Sequence, residues 1–420
     1  MIDKLQTWLL GGRPNLYAVL DIGTTEAKAL IVLVDKGKAI VVGAGRQPHQ
    51  DGAIADASLA DVTLAALACE QALAQAENLT EEVVGEKLVA DHAVVGLSGP
   101  MLKSTCVSLA LRRARPQQRI SNRELQGIVQ RAQRLALQQA REVMAEDRAS
   151  AGIQVGLVDA VITRIMVDGY AVHSAIGAQG AQVEVCLSNV FAPTAYLVMA
   201  SSVAARLDLE TMAILSGVSS VAHMPSVVSR GDAIVVDIGG ECTDVALVRR
   251  GGIESLQSLP LGGMSFTRRV SRTLGVPLAA AEETKRKYAE GRLDQSRTME
   301  LRLAFASDIQ ALVDGLRGML KGMAGHNELP AHIFLSGGGS VLPDIQQAIR
   351  SHPWIHVLPF ARHPQMTILQ PRSIPNLNDG TRRLGDVFGV PACLAACAVS
   401  QADDAPQRIL KQVLHGMGLS

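Results

Sequence analysis

One pattern occurs twice in this 420-residue chain and limits what it can fold into more than any other feature. Tyr17-Ala18-Val19-Leu20 is a short apolar run that reads as a buried strand. Asp21-Ile22-Gly23-Thr24-Thr25 follows as a tight loop, Ala29 to Val34 as the returning strand, Asp35-Lys36-Gly37 as a turn and Ala39 to Val42 as a third strand. Far downstream the same grammar returns. Ala233 to Val236 is a strand, Asp237-Ile238-Gly239-Gly240 a loop, Val245 to Val248 the return, Arg249 to Gly252 a turn, and Ile253 opens a third strand. A chance Asp-Ile-Gly is easy to find, but matching flanks on both sides are not. The pair implies an internal duplication and an α/β chain of two similar lobes.

The remaining segments fit around these two frames. Ala57 to Ala76 is Ala/Leu-rich at helical spacing, and Ala93 to Gly99 reads as strand and loop. Residues 101–192 have a different texture. They hold a strand-like stretch from Thr105 to Leu111, a basic turn (Arg112, Arg113, Arg115, Arg119), and a Ser121-x-x-Glu124 capping box. Leu125, Ile128, Val129, Ala132, Leu135, Ala136, Ala140 and Val143 then recur at helical spacing, with strand-like runs at 153–158, 160–167, 170–176 and 182–187. This is a small α/β insert in the first lobe, and the basic run reads as its solvated turn or else as a contact for an acidic partner or for lipid. Met199 to Met212 and Asp308 to Met323 read as helices. Ile333 to Leu335 reads as a strand followed by a Ser336-Gly337-Gly338-Gly339-Ser340 loop, 361–386 as an extended surface segment, and Val390 to Val399 as a buried helix. The expected division is 1–14 as an N-terminal segment, 15–100 and 193–228 as the two parts of the first lobe, and 101–192 as the insert. Residues 229–385 form the second lobe, 386–402 a helix returning to the first, and 403–420 an amphipathic end.

Composition narrows the function classes. Lys+Arg and Asp+Glu are both 40, so no global positive field exists to hold nucleic acid. No run approaches the roughly 20 apolar residues of a spanning helix. The first residues are too polar for a signal peptide. Cysteines 69, 106, 186, 242, 393 and 397 include no Cys-x-x-Cys, so neither a zinc site nor a disulfide framework is expected, and the reading is a cytoplasmic protein.

Each of the three small-residue loops follows a hydrophobic strand. Backbone N–H groups in such loops cradle phosphate oxygens, because little side chain blocks the approach. Thr24 and Thr25 add hydroxyl donors. Asp21 and Asp237 stand at strand ends, where carboxylates hold a hydrated magnesium ion through its waters. Gly337-Gly338-Gly339 would let a base and ribose lie against the backbone.

On these motifs the chain resembles the actin, Hsp70 and sugar-kinase superfamily. Asp21 to Thr25 is similar to its first phosphate loop, Asp237 to Asp244 to the second, and Leu335 to Gly339 to the adenosine loop. Leu261-Gly262-Gly263 with Thr267 resembles the segment that follows the second phosphate hairpin. Glu282 and Lys285 match the superfamily's Glu-x-x-Lys pair at ribose and adenine. The resemblance implies ATP or ADP with Mg2+ in a cleft between duplicated ribonuclease-H-like lobes. It gives Gly23, Thr24, Thr25, Gly239, Gly240, Gly262, Glu282, Lys285, Gly337, Gly338 and Gly339 as the nucleotide contacts, and Asp21 and Asp237 as the metal positions. Through Gly96-Leu97-Ser98-Gly99, the Ile120-Ser121-x-x-Glu124 helix start and the strands ending near Val185, the insert resembles that of the FtsA family of cell-division proteins. The family resemblance implies a cytoskeletal adaptor that self-associates and meets a tubulin-like division protein at the inner membrane face. A PilM-like pilus scaffold, binding ATP and a membrane-protein peptide, and a small-molecule kinase are the alternatives. Two departures bear on turnover. Glu241 and Cys242 stand where the family has glycine and threonine, and Ser216 where polymerising relatives carry a water-orienting Glu. Loss of such a group costs about two orders of magnitude in rate, so the expected enzyme is at most a weak ATPase, with no catalytic residue assigned.

At the ends, Ile409, Leu410, Val413, Leu414 and Met417 form a stripe with Arg408, Lys411 and His415 largely off it. Two readings are open: a helix lying in the lipid headgroup layer, or one docked on the protein's own body. Ile2, Leu5, Trp8 and Leu9 repeat the ambiguity at the other end.

Overall fold

The structure is a computed structural model and describes residues 15–145, 153–351, 353–399 and 405–418. The N-terminal stripe of Ile2, Leu5, Trp8 and Leu9 lies outside them. In the first lobe, Asn15–Ile22, Glu26–Asp35 and Lys38–Pro48 form an antiparallel meander. His92–Leu97 joins Asn15–Ile22 in parallel, and Glu210–Ser216 joins His92–Leu97 in parallel. In the second lobe, Ala233–Ile238, Thr243–Arg249 and Gly252–Leu259 form the same meander. His332–Ser336 and then Gln365–Ile368 extend it in parallel. The two sheets thus repeat one strand order, which is the duplication read from the sequence. Each central strand is apolar on both faces: Ala18, Val19 and Leu20 in one and Ala233 to Val236 in the other are buried. That is the signature of a sheet covered on both sides.

The first lobe also shows why its helix and sheet lie so close. Asp61 caps Val62–Val84 by accepting from the Thr63 and Leu64 N–H groups at 2.7 and 3.0 Å. The buried stripe of this helix is mostly alanine (Ala65, Ala68, Ala72, Ala76). Opposite it, a β-carbon on Gly45 would sit 2.1 Å from the Ala72 carbonyl oxygen, and one on Gly43 would sit 2.1 Å from that of Ala76. Small residues on both partners set the spacing.

The insert is a four-stranded sheet in the order Lys103–Arg112, Gln182–Pro193, Val155–Val167, Tyr170–Val172. One face is covered by Asn122–Ala145, whose first turn is closed by the Glu124 N–H donating to Ser121. Within the basic turn Arg113 is not a solvated residue. Its guanidinium is buried and grips both carboxylate oxygens of Glu124, and it also donates to the Gly180 carbonyl.

Three segments differ from the sequence reading. The helix expected from Met199 to Met212 is Thr194–Ala205, and Met212 lies in the strand Glu210–Ser216. Asp208, at φ +57°, breaks the helix in between. The runs at 153–158 and 160–167 are one strand, Val155–Val167. The chain also returns to the first sheet before residue 386, because Leu377–Asp379 already pairs in parallel with Lys38–Pro48. The buried helix Gly389–Val399 follows it and packs on the first lobe. No helix among the described residues is long and apolar enough to cross a membrane.

Replacing Gly45 with alanine should lower the thermal midpoint clearly. Two backbones approach there too closely for a methyl group, and overpacking of this kind costs about 3 kcal/mol. Calorimetric melting of the purified variant checks it, with Gly127→Ala, where an added β-carbon meets nothing, as the tolerant control.

Candidate functional site

Strand ends place the two aspartates. Each is the last-but-one residue of the first strand of its lobe, buried where its sheet meets the other lobe. The antiparallel register pairs Asp21 with Lys28 and Asp237 with Asp244. Lys28 is the group that sequence reasoning missed. Its ammonium lies 3.4 Å from Asp21 and 3.6 Å from Glu26, almost out of solvent. The signal was available in the symmetry of the hairpin, which puts residue 28 across from residue 21.

Burial dominates the electrostatics. It pushes the Asp21 carboxyl above the usual range, with Lys28 pulling against it. Asp237 is pushed up to about 7, by burial first and then by Asp244, although its carboxylate accepts a hydrogen bond from Ser336 at 2.9 Å. Asp244 is also raised by burial. It accepts from the Gly99 N–H at 2.8 Å and from the Ser258 hydroxyl at 2.5 Å.

The two hairpin loops touch. The Glu241 N–H donates to the Thr24 hydroxyl at 2.9 Å, and a β-carbon on Gly240 would collide with the Thr25 side chain at 2.2 Å. The first loop is backed by His49, whose Nε2 lies 3.0 Å from the Gly23 carbonyl oxygen, while its buried Nδ1 has no partner. The Glu241 carboxylate turns away and meets Arg268 at 2.5 Å, so it does not stand as a free charge in the loop. Thr243, after Cys242, anchors the loop on the Leu261 carbonyl.

The connecting segment closes on the second loop from above. The Gly263 and Met264 N–H groups donate to the Gly239 and Gly240 carbonyls at 2.9 and 2.8 Å, and a β-carbon on Gly262 would strike both of these residues. Helix Leu278–Ala289 brings Glu282 and Lys285 to the same place. The Lys285 ammonium bonds to Glu282 at 2.7 Å, to the Thr267 hydroxyl at 2.8 Å and to the Gly263 carbonyl at 3.1 Å. Thr267 in turn donates to Glu282. The third loop arrives through His332–Ser336. Gly337, at φ +82°, lies against the Ile238 carbonyl and the Asp237 carboxylate, where no side chain fits. A β-carbon on Gly263 would have Gly239, Gly339 and Lys285 atoms at 3.5 to 3.6 Å, and one on Gly338 would face open space.

The structure therefore gathers Gly239, Gly240, Gly262, Glu282, Lys285, Gly337 and Gly339 with Asp237 on the second-lobe side. Gly23, Thr24, Thr25 and Asp21 stand on the first-lobe side, joined to the others through Thr24 and Thr25. Ser216 is fully buried at the end of its strand and caps the short helix Gly217–Ala222, accepting from the Ser219 N–H at 3.2 Å. Among the described residues, no group of three or more His, Cys, Asp and Glu side chains is arranged to hold a metal directly. A cavity of about 550 Å3 lies elsewhere, between the insert sheet and the Arg249–Gly252 turn, and none of these site residues lines it.

The second of the two frames is also where a known family is matched: the model described as cell division protein FtsA covers residues 234–379. The match makes this chain similar to FtsA over its second lobe. It is 25% identical to the cell division protein FtsA of Neisseria meningitidis over 66% of this chain and 62% of that protein, less than two thirds of the relative's length. It is 23% identical to the FtsA of Streptococcus pneumoniae over 79% of this chain and 72% of that one. Among solved structures, the PilM–PilN type IV pilus biogenesis complex holds a chain similar in fold, with a TM-score of 0.63 and 17% identity over 91% of this chain and 98% of the other.

Asp237 sets a pH dependence. Burial raises its pKa from the ordinary carboxylate range to about 7, so the folded state holds the proton more tightly than the unfolded chain does. The penalty for burying the carboxylate is absent below the unfolded value and complete above about pH 7. Asp237→Asn should therefore gain stability relative to the parent as pH rises through this window, by a few kcal/mol in order of magnitude. Urea denaturation of both proteins at pH 5 and pH 8 measures the change.

Proposed function

We propose that this chain is a nucleotide-binding cytoskeletal adaptor of the FtsA type, in which ATP or ADP with Mg2+ bridges the two lobes and biases self-association and partner docking at a membrane. The observation that carries the reading is the convergence of two Asp-Ile-Gly hairpins, a glycine loop and a Glu-x-x-Lys helix on one interlobe joint, in a chain matched by the FtsA family. Gly23, Thr24, Thr25, Gly239 and Gly240 would donate backbone and hydroxyl hydrogen bonds to phosphate oxygens. A phosphate entering there would compete with Thr24 for the Glu241 N–H. Asp21 and Asp237 would hold the cation through its waters, as expected for Mg2+, which keeps several of them. Glu282 and Lys285 would meet the ribose, and Gly337, Gly338 and Gly339 the base. The cradle around Gly263 supports the fit, because Gly239, Gly263 and Gly339 present bare backbone there, with the Lys285 ammonium beside them.

Turnover is slow or absent in this reading. Ser216 spends its hydroxyl on a helix cap and offers no acid to orient water. Partners of the FtsA kind, a tubulin-like division protein and the inner membrane face, come with the family likeness. Two FtsA proteins match at the sequence level, while the PilM–PilN complex supports the fold, so the division reading is favoured over the pilus one.

A fluorescent ATP analogue with Mg2+ tests the site. The parent should bind it saturably. Gly263→Ala adds a methyl group in ordinary contact with its neighbours, so the fold should persist, yet the methyl occupies the cradle. Binding should weaken about tenfold or more, equivalent to about 1.4 kcal/mol. Nucleotide recovered from the parent after prolonged incubation should still be triphosphate. Equal affinity in both proteins would remove the cradle from the site, and no binding by the folded parent would refute the reading.

A further inference from the structure

An ion pair sits on the rim of the joint, where the two hairpin tips meet. Glu241 stands at the tip of the second hairpin. Its N–H donates to the Thr24 hydroxyl of the first at 2.9 Å, while its carboxylate leans away onto the Arg268 guanidinium at 2.5 Å. One residue thus offers a donor to the joint and an acid to its rim. Arg268 belongs to the helix Gly263–Leu274, whose Gly263 and Met264 N–H groups are already spent on the Gly239 and Gly240 carbonyls. Thr267, the residue before it, is fully buried and accepts from Lys285 at 2.8 Å. Arg269, the residue after it, is occupied by both carboxylate oxygens of Asp308. The positive charge this helix brings to the second loop is therefore that of Arg268.

The pair is loosely held. The Arg268 side chain is 44% and that of Glu241 28% exposed, and ion pairs this open to water are weak. A terminal phosphate carries more charge than a carboxylate and offers the planar guanidinium a stronger two-pronged partner. Position decides which phosphate could claim it. With the base at Gly337 to Gly339 and the ribose at Glu282 and Lys285, the end of a phosphate chain falls at the Thr24–Glu241 contact, where both hairpins reach it. A diphosphate ends one group short and leaves the pair intact.

We propose that Glu241 and Arg268 form a terminal-phosphate sensor. The carboxylate retains Arg268 on the rim when the site is empty or holds a nucleoside diphosphate, and the terminal phosphate of a nucleoside triphosphate takes the guanidinium from it. The inference rests on the nucleotide reading above and deepens it, by naming the residues that distinguish three phosphates from two. Glu241 acts as the competitor: it repels the added charge and keeps back the cation that would neutralise it. The preference for triphosphate over diphosphate is then a difference between opposing effects, and removing one member of the pair moves it up while removing the other moves it down. Both are positioning residues and neither makes or breaks a bond.

Fluorescent ATP and ADP analogues, each with Mg2+, are titrated into the full chain and its variants, and the ratio of the two dissociation constants is read. Glu241→Gln releases Arg268 and removes the repulsion, so ATP should bind about tenfold tighter, with ADP changed by less than about threefold. Arg268→Gln leaves Glu241 unpaired beside the terminal phosphate, so ATP should bind about tenfold more weakly, again with ADP nearly unchanged. The double variant should return the ratio close to that of the parent, and Arg268→Lys, which keeps the charge, should retain most of it. Added salt should shrink all of these differences. Circular dichroism confirms that each variant is folded. A ratio that stays put in both single variants, that moves the same way in both, or that is preserved because ATP and ADP weaken alike, would overturn the sensor and leave the nucleotide site standing. A folded parent that binds neither analogue would overturn the nucleotide reading and the sensor with it.

Discussion

Three carboxylates buried at the meeting of two sheets constrain this molecule more than any other feature. Asp21, Asp237 and Asp244 stand at strand ends with almost no solvent; Lys28, bound to Asp21, is the ammonium nearest the first two, and Lys103 acts on Asp244 from further off. Like charges in a poorly polarisable interior are costly unless hydrogen bonds or protons answer them. Asp244 is answered by Gly99 and Ser258, and Asp237 in part by Ser336. What remains is an unmet demand for positive charge beside two glycine-rich loops. A proton meets it in the protein alone, which is why Asp237 rises towards neutrality. A cation carried by a phosphate ligand would meet it better.

The same place is where the lobes hold each other. Thr24 meets the Glu241 N–H and Gly99 meets Asp244 there, and away from the site Ser188 of the insert donates to the Ile253 carbonyl at 2.8 Å. Each such bond contributes about 1 kcal/mol net, so the direct polar link across the joint is modest. A ligand that contacts both sides needs only a few kcal/mol of differential affinity to shift the balance between open and closed arrangements. Small residues keep these contacts tight: Gly240 against Thr25 at the joint, and Gly252 against Thr163 and Ser188 where the insert meets the second lobe.

Much of this was legible in the sequence because the two hairpins are local structures with a strict alternation, and because they are repeated. The antiparallel three-strand meander that opens each sheet followed from that repeat. Lys28 was not read, since its role depends on the register across a turn. Arg113 was read as solvated because a charge run gives no sign that one member will be caged by Glu124. The early return to the first sheet at Leu377–Asp379 rests on a three-residue parallel pairing with a distant strand, which has no periodic signature. Met212 was absorbed into a helix because apolar spacing over a few residues does not separate the end of a helix from the start of a buried strand. The C-terminal stripe was read correctly as amphipathic. Its partner was not legible, since a lipid surface and a groove in the insert ask for the same apolar spacing. The structure shows the second: Ile409, Leu410 and Val413 of the helix Ala405–Gly416 are buried in the insert core, with Gln407 bonded to the Ile162 backbone and Gln126 to Gln412.

Proton-linked calorimetry tests the charge account most directly. Mg2+ with ADP would be titrated into the folded protein near pH 6.5 in two buffers of different ionisation heat. If a cation replaces the proton held among Asp21, Asp237 and Asp244, the apparent enthalpies will differ by an amount that corresponds to proton release, and the difference will shrink in Asp237→Asn. Binding with identical heats in both buffers, or no binding at all, would contradict it.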